Sequence, residues 1–132
     1  MVDAHTFISN YYAAFNAGDF AGMLGIVTDD FSHDPNQGTR RVGKILFSEF
    51  LSKMDRCYRE QVVDLVVMVN GDRAAAEFVI NGQYLVAEDG LPPAHGQTYR
   101  LPVGAFFHLR EGKIARVTNY YNLEDWLAQV VK

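Results

Sequence analysis

The chain has 132 residues, 48% of them hydrophobic and 21% charged, and a formal net charge of -4. That length describes one domain, expected over 1–132, large enough to bury a core without disulfides or metals. The acidic balance argues against a nucleic-acid surface, which needs a basic face, and the adjacent Arg40 and Arg41 do not make one. No apolar run approaches the ~20 residues of a membrane span. The first ten residues carry Asp3 and His5 where a signal peptide carries Lys or Arg, so a cytoplasmic location is expected.

In chain order, Phe7, Ile8, Tyr11, Tyr12 and Phe15 recur at helical spacing from Asp3 to Ala17, and Gly18 follows where helices stop. Asp19 can cap a second, short helix whose apolar stripe is Phe20, Met23, Leu24 and Val27, ending at Asp29 and Asp30. Phe31 to Asp34 reads as a short strand. Lys44 to Asp55 places Ile45, Phe47, Leu51 and Met54 on overlapping helical faces. The period then changes: Tyr58 to Val69 and Arg73 to Val86 flank a tight turn at Asn70 to Asp72, which predicts a long hairpin. A loop precedes strands at Gln97 to Leu109 and Ile114 to Tyr121. Asn122 caps a last helix, with Glu124 and Asp125 in its first turn where the dipole favours acids. Helices followed by antiparallel strands predict an α+β fold, with helices closing the concave side of a curved sheet over an aromatic pocket.

Candidate chemistry centres on Phe31 to Gly38, FSHDPNQG. Asp34 before Pro35 is ordinary turn chemistry, because its carboxylate can accept from nearby backbone amides. The same carboxylate at a pocket rim would be a general base, and both readings stand. His33 alternates in direction with Asp34, so a regular strand turns only one of them to the pocket. Asn36 in the same turn is counted among the ligand-facing residues. Cys57 is the lone cysteine and is read as a packing residue, although Arg56 and Arg59 could lower its pKa. No His pair has metal-ligand spacing, so no metal is expected. Phe15, Phe50, Met54, Phe78 and Trp126 are the expected apolar liners. Asn119 and Tyr121 share one face of the last strand with Val117. Phe106 and Tyr120 alternate to the opposite face of the sheet, where exposed aromatics point to association.

The string Tyr11 to Asp19, YYAAFNAGD, followed by Asp29-Asp30, Asp34-Pro35 and Gly43, resembles the ketosteroid isomerases and the wider nuclear-transport-factor-2-like (NTF2-like, SnoaL-like) superfamily. The likeness runs through nearly the whole chain in element order, and NYYNLEDWL at Asn119 to Leu127 resembles the ending of ketosteroid isomerase-related proteins. It implies a cone-shaped α+β fold with an internal pocket, a homodimer packed sheet to sheet, and cofactor-independent proton transfer on a small apolar carbonyl compound, by isomerisation or polyketide-type cyclisation. A non-catalytic binding protein for a lipid-like or polycyclic ligand is the alternative. In the isomerases a helix-one Tyr donates to the developing enolate, which matches Tyr11. Their general base is the Asp of a strand-end Asp-Pro, which matches Asp34. The spacing from Asp29-Asp30 is one residue shorter than in the family, and this leaves His33 as a competitor. The second oxyanion donor of the family falls at Gly104 or Ala105, which cannot donate from a side chain, so Asn119 and Tyr121 are the candidate replacements.

Overall fold

The computed structural model describes residues 3–131. Helix α1 (Ala4–Ala17) begins where the Asp3 carboxylate accepts the backbone N–H of Thr6 and ends at Gly18, whose left-handed φ of 69° suits a residue without Cβ. Helix α2 (Phe20–Ile26) is capped in the same way by Asp19 through the N–H of Gly22. It stops earlier than its apolar stripe suggests. Val27 and Thr28 are β-branched and open strand β1 (Val27–Asp34), which is longer than the four residues expected because Val27 pairs with Ile114. The short β2 (Arg41–Val42) pairs with β1 and was not signalled by the sequence pattern.

Helix α3 (Lys44–Cys57) leads directly into β3 (Tyr58–Asn70), and the chain then runs through β4 (Arg73–Tyr84), β5 (Gln97–Arg110) and β6 (Lys113–Tyr121) before α4 (Leu123–Val130). The sheet order is β2-β1-β6-β5-β4-β3. Every pairing is antiparallel except β1 with β6, which is parallel, as the long connection through α3 and the β3–β5 strands permits.

Register decides which residues face inward. Strand β5 alternates buried and open positions along its whole length, with Tyr99, Leu101, Val103, Ala105 and Phe107 inward. A bulge between Val63 and Val66, with Asp64 at φ 56°, and another after His108 bend the sheet around the helices. Asn16 ties α1 to β3: its side chain accepts from the Val62 N–H at 2.7 Å and donates to the Val62 carbonyl at 2.9 Å. This α+β cone, with helices closing the concave side of a curved mixed sheet, has the NTF2-like architecture that the sequence resemblance implies.

Candidate functional site

Between the helices and the concave face lies a cavity of about 420 Å³. That volume suits a small organic ligand. All seven expected liners other than Asn36 meet there: Phe15, Phe50, Met54, Phe78, Asn119, Tyr121 and Trp126. Tyr11 and His33 line it as well.

The strand-end pair separates by alternation. His33 registers with Val117 on the inner face, and Asp34 registers with Thr118 on the outer face. Asp34 therefore does not reach the cavity, and the expected convergence of its carboxylate with the Tyr11 hydroxyl is absent. Its oxygens are occupied outside, by the Arg40 guanidinium at 3.1 Å, the Thr118 hydroxyl at 3.4 Å and the Asn36 N–H at 3.3 Å. Partial burial would raise the Asp34 pKa, but these donors outweigh it and hold the carboxyl below its usual value. Asn36, at φ 62° in the exposed turn, also lies outside the lining, whereas its neighbours Pro35, Gln37 and Gly38 form part of the rim.

His33 is 3% exposed and sits in an aromatic nest, with ring centroids 5.3 Å from Phe47 and 4.3 Å from Phe50. Neither ring nitrogen has a hydrogen-bond partner among the described residues, and Nδ1 is fully buried. Burial, helped by the Arg41 charge and opposed by Asp34, pulls its pKa down to about 4. His33 is thus a neutral imidazole at pH 7, with one donor and one acceptor. Arg41 itself stacks its guanidinium 4.9 Å above the Phe50 ring.

Phe47 bridges His33 to Tyr11, whose ring stacks on it at 6.5 Å. Burial raises the Tyr11 pKa, so the phenol stays protonated and can donate a charge-stabilising hydrogen bond. The Tyr12 hydroxyl is buried without a partner on the same wall. Of Gly104 and Ala105, Ala105 is the one on the inner face, and it pairs in register with Asn119.

A second group of polar residues, which the sequence reading passed over, lines the wall made by β3 and the β4–β5 loop. Glu60 accepts from the Tyr99 hydroxyl, and Glu88 accepts from the Tyr58 hydroxyl and pairs with Lys53 at 2.6 Å. Burial and the nearby Glu88 charge raise the Glu60 pKa, against the opposing pull of Tyr99. Glu60 was visible in principle, since it shares the inward parity of Tyr58 and Val62. Glu88 lies in a loop and carries no such signal. Trp126 packs its edge or face against Tyr58, Tyr84 and Tyr99 at centroid distances of 5.1 to 6.2 Å, closing this end. Among the described residues no group of three or more metal-ligating side chains is assembled.

Comparison with known proteins agrees with this geometry. The family model of the SnoaL-like domain matches residues 8–117. The chain is 57% identical to a "putative polyketide cyclase" from Pseudomonas putida KT2440, with a TM-score of 0.96 over 98% of this chain and 99% of that one. It is 51% identical to a protein of the same description from Xanthomonas campestris pv. campestris, with a TM-score of 0.90 over 94% and 93%. A protein of ketosteroid isomerase-like fold from Catenulispora acidiphila is 18% identical, with a TM-score of 0.75 over 95% and 92%, a likeness of fold alone. No curated protein matches the chain.

Proposed function

The chain belongs to the SnoaL-like domain family, and from that premise we propose that it is a small enzyme moving protons on an apolar carbonyl compound inside its cavity, by polyketide-type cyclisation or isomerisation. The observation that carries this reading is His33: a neutral, buried imidazole without a protein partner, facing an apolar cavity that also presents the Tyr11 phenol. Removing a proton next to a carbonyl needs a base within reach of the carbon acid and a donor aimed at the oxygen where charge develops. His33 supplies the base and Tyr11 the donor, with Tyr12 and Asn119 completing the polar surround. A base with a pKa of about 4 is weak, so most of the barrier reduction must come from stabilising the enolate. The relatives described as polyketide cyclases support the substrate class.

Asp34 enters this reading through position. Its three outer-face hydrogen bonds fix the end of β1 and thereby hold His33 toward the cavity. A homodimer through the open sheet face belongs to the same proposal. Met68, Phe106 and Tyr120, respectively 52%, 50% and 46% exposed, share that face, and Phe106 packs edge-on to Tyr120 at 5.7 Å.

The test is deuterium exchange into 2-acetonaphthone, an enolisable aryl ketone, followed by mass spectrometry. The parent protein should catalyse exchange, His33→Phe should abolish it, and Tyr11→Phe should slow it by about a hundredfold. Tight ketone binding with no exchange would instead establish a binding protein.

A further inference from the structure

The Glu60 wall has a construction that the proton-transfer reading leaves unused. Tyr99 on β5 faces Gly82 on β4, which in turn faces Glu60 on β3. The Tyr99 ring lies across the backbone of Gly82 so closely that a Cβ there would stand 2.2 Å from the ring carbon Cζ. Only glycine leaves this passage open. Through it the phenol reaches one oxygen, Oε2, of the Glu60 carboxylate. The other oxygen, Oε1, has no hydrogen-bond partner among the described residues and keeps accessible surface on a side chain that lines the cavity. Glu88 differs, since Lys53 and Tyr58 occupy both of its oxygens. The wall therefore offers one oriented, unfilled acceptor.

Its place relative to His33 defines a span. Glu60 and His33 line the same cavity from β3 and β1, four strand steps apart in the sheet, or roughly 19 Å measured along its curve. The lining also carries polar groups that the protein leaves unpaired, since His33 at 3% exposure and Tyr12 at 6% each keep a buried polar atom without a partner among the described residues.

We propose that Glu60, oriented by Tyr99 through the Gly82 passage, is the anchor of a second ligand subsite that accepts a hydrogen bond from a hydroxyl, so that the ligand is a flat apolar ketone carrying a phenol or enol hydroxyl at the end away from His33. The ketone half of this statement rests on the reading of the cavity given above. The hydroxyl half rests on Glu60 alone. Charge-assisted hydrogen bonds of this kind discriminate against an analogue lacking the donor, because the bound analogue shields the carboxylate oxygen from water and leaves it unsatisfied.

The experiment is fluorescence titration with 6-acetyl-2-naphthol, its methyl ether, and 2-acetonaphthone. The parent protein should bind the naphthol at least about tenfold tighter than the methyl ether. In Glu60→Gln, Tyr99 retains the amide oxygen and turns the NH2 to the cavity, so the preference should fall below about threefold while 2-acetonaphthone binds as before. Should Glu60→Gln fail to fold, Glu60→Asp withdraws the carboxylate by one methylene and must also lose the preference. No preference in the parent, or an undiminished preference in a folded Glu60 variant, overturns the subsite. If 2-acetonaphthone does not bind but plain 2-naphthol keeps a Glu60-dependent advantage over 2-methoxynaphthalene, the ketone reading fails and the subsite stands.

Discussion

Acidification should destabilise this protein through His33, and replacing His33 with Phe should remove that dependence. The imidazole is held neutral in the folded chain down to about pH 4, whereas in the unfolded chain it takes up a proton near pH 6.5. Between those values the unfolded state binds more protons, so stability rises with pH and is lost as pH falls through 6.5 toward 4. The full loss is about 3 kcal/mol, of which about 2 kcal/mol is already gone at pH 5. Solvent screening does little to reduce it, because the side chain is 3% exposed. Glu60 acts with the opposite sign: its raised pKa makes the folded state the better proton acceptor, so acidification recovers stability there. The difference between parent and variant cancels Glu60 and isolates His33. Phe fits a nest already formed by Phe31, Phe47 and Phe50. Urea unfolding at pH 7.5 and 5.0 should show the parent midpoint falling by about 1 M more than that of His33→Phe. Parallel pH dependences in the two proteins would refute the assignment of a neutral, buried His33.

Gly82→Ala should destabilise by about 1 to 3 kcal/mol, read from the denaturant midpoint, because the new methyl displaces the Tyr99 ring; most of that cost should vanish in a Tyr99→Ala background. Asn16→Ala removes both side-chain bonds from Asn16 to Val62 and should cost about 1 to 3 kcal/mol by the same measurement. Asp34→Asn should leave 2-acetonaphthone affinity within about twofold, since the carboxylate faces away from the cavity, and change stability by less than about 1 kcal/mol, since the Arg40 partner is half-exposed. Phe106→Glu should shift sedimentation toward the monomer without altering ligand binding.

The division between His33 and Asp34 shows where sequence reasoning reached its limit. Period-two alternation already required one of the two to face inward, and the family spacing was one residue short of deciding which. The parallel pairing of β1 with β6 decided it, by setting His33 beside Val117 and Asp34 beside Thr118. Asn36 failed as a liner for a related reason: its left-handed backbone in the turn carries it outward. The apolar liners were easier. Phe15, Phe50, Met54, Phe78 and Trp126 lie on helical or strand faces whose direction follows from local periodicity, and each reaches the cavity.

Local chemistry alone thus determined the four helices and the long strands, the caps at Asp19 and Asn122, the α+β class and most of the cavity's apolar surface, because each depends on residues within a few positions of one another. Only the tertiary structure decided which polar groups share the cavity. Glu60 gains its orientation from Tyr99, 39 residues away, through a gap left by Gly82, and Glu88 gains its partners from Tyr58 and Lys53. Such pairings arise from strand order and register across the sheet, which no stretch of the chain encodes by its own composition.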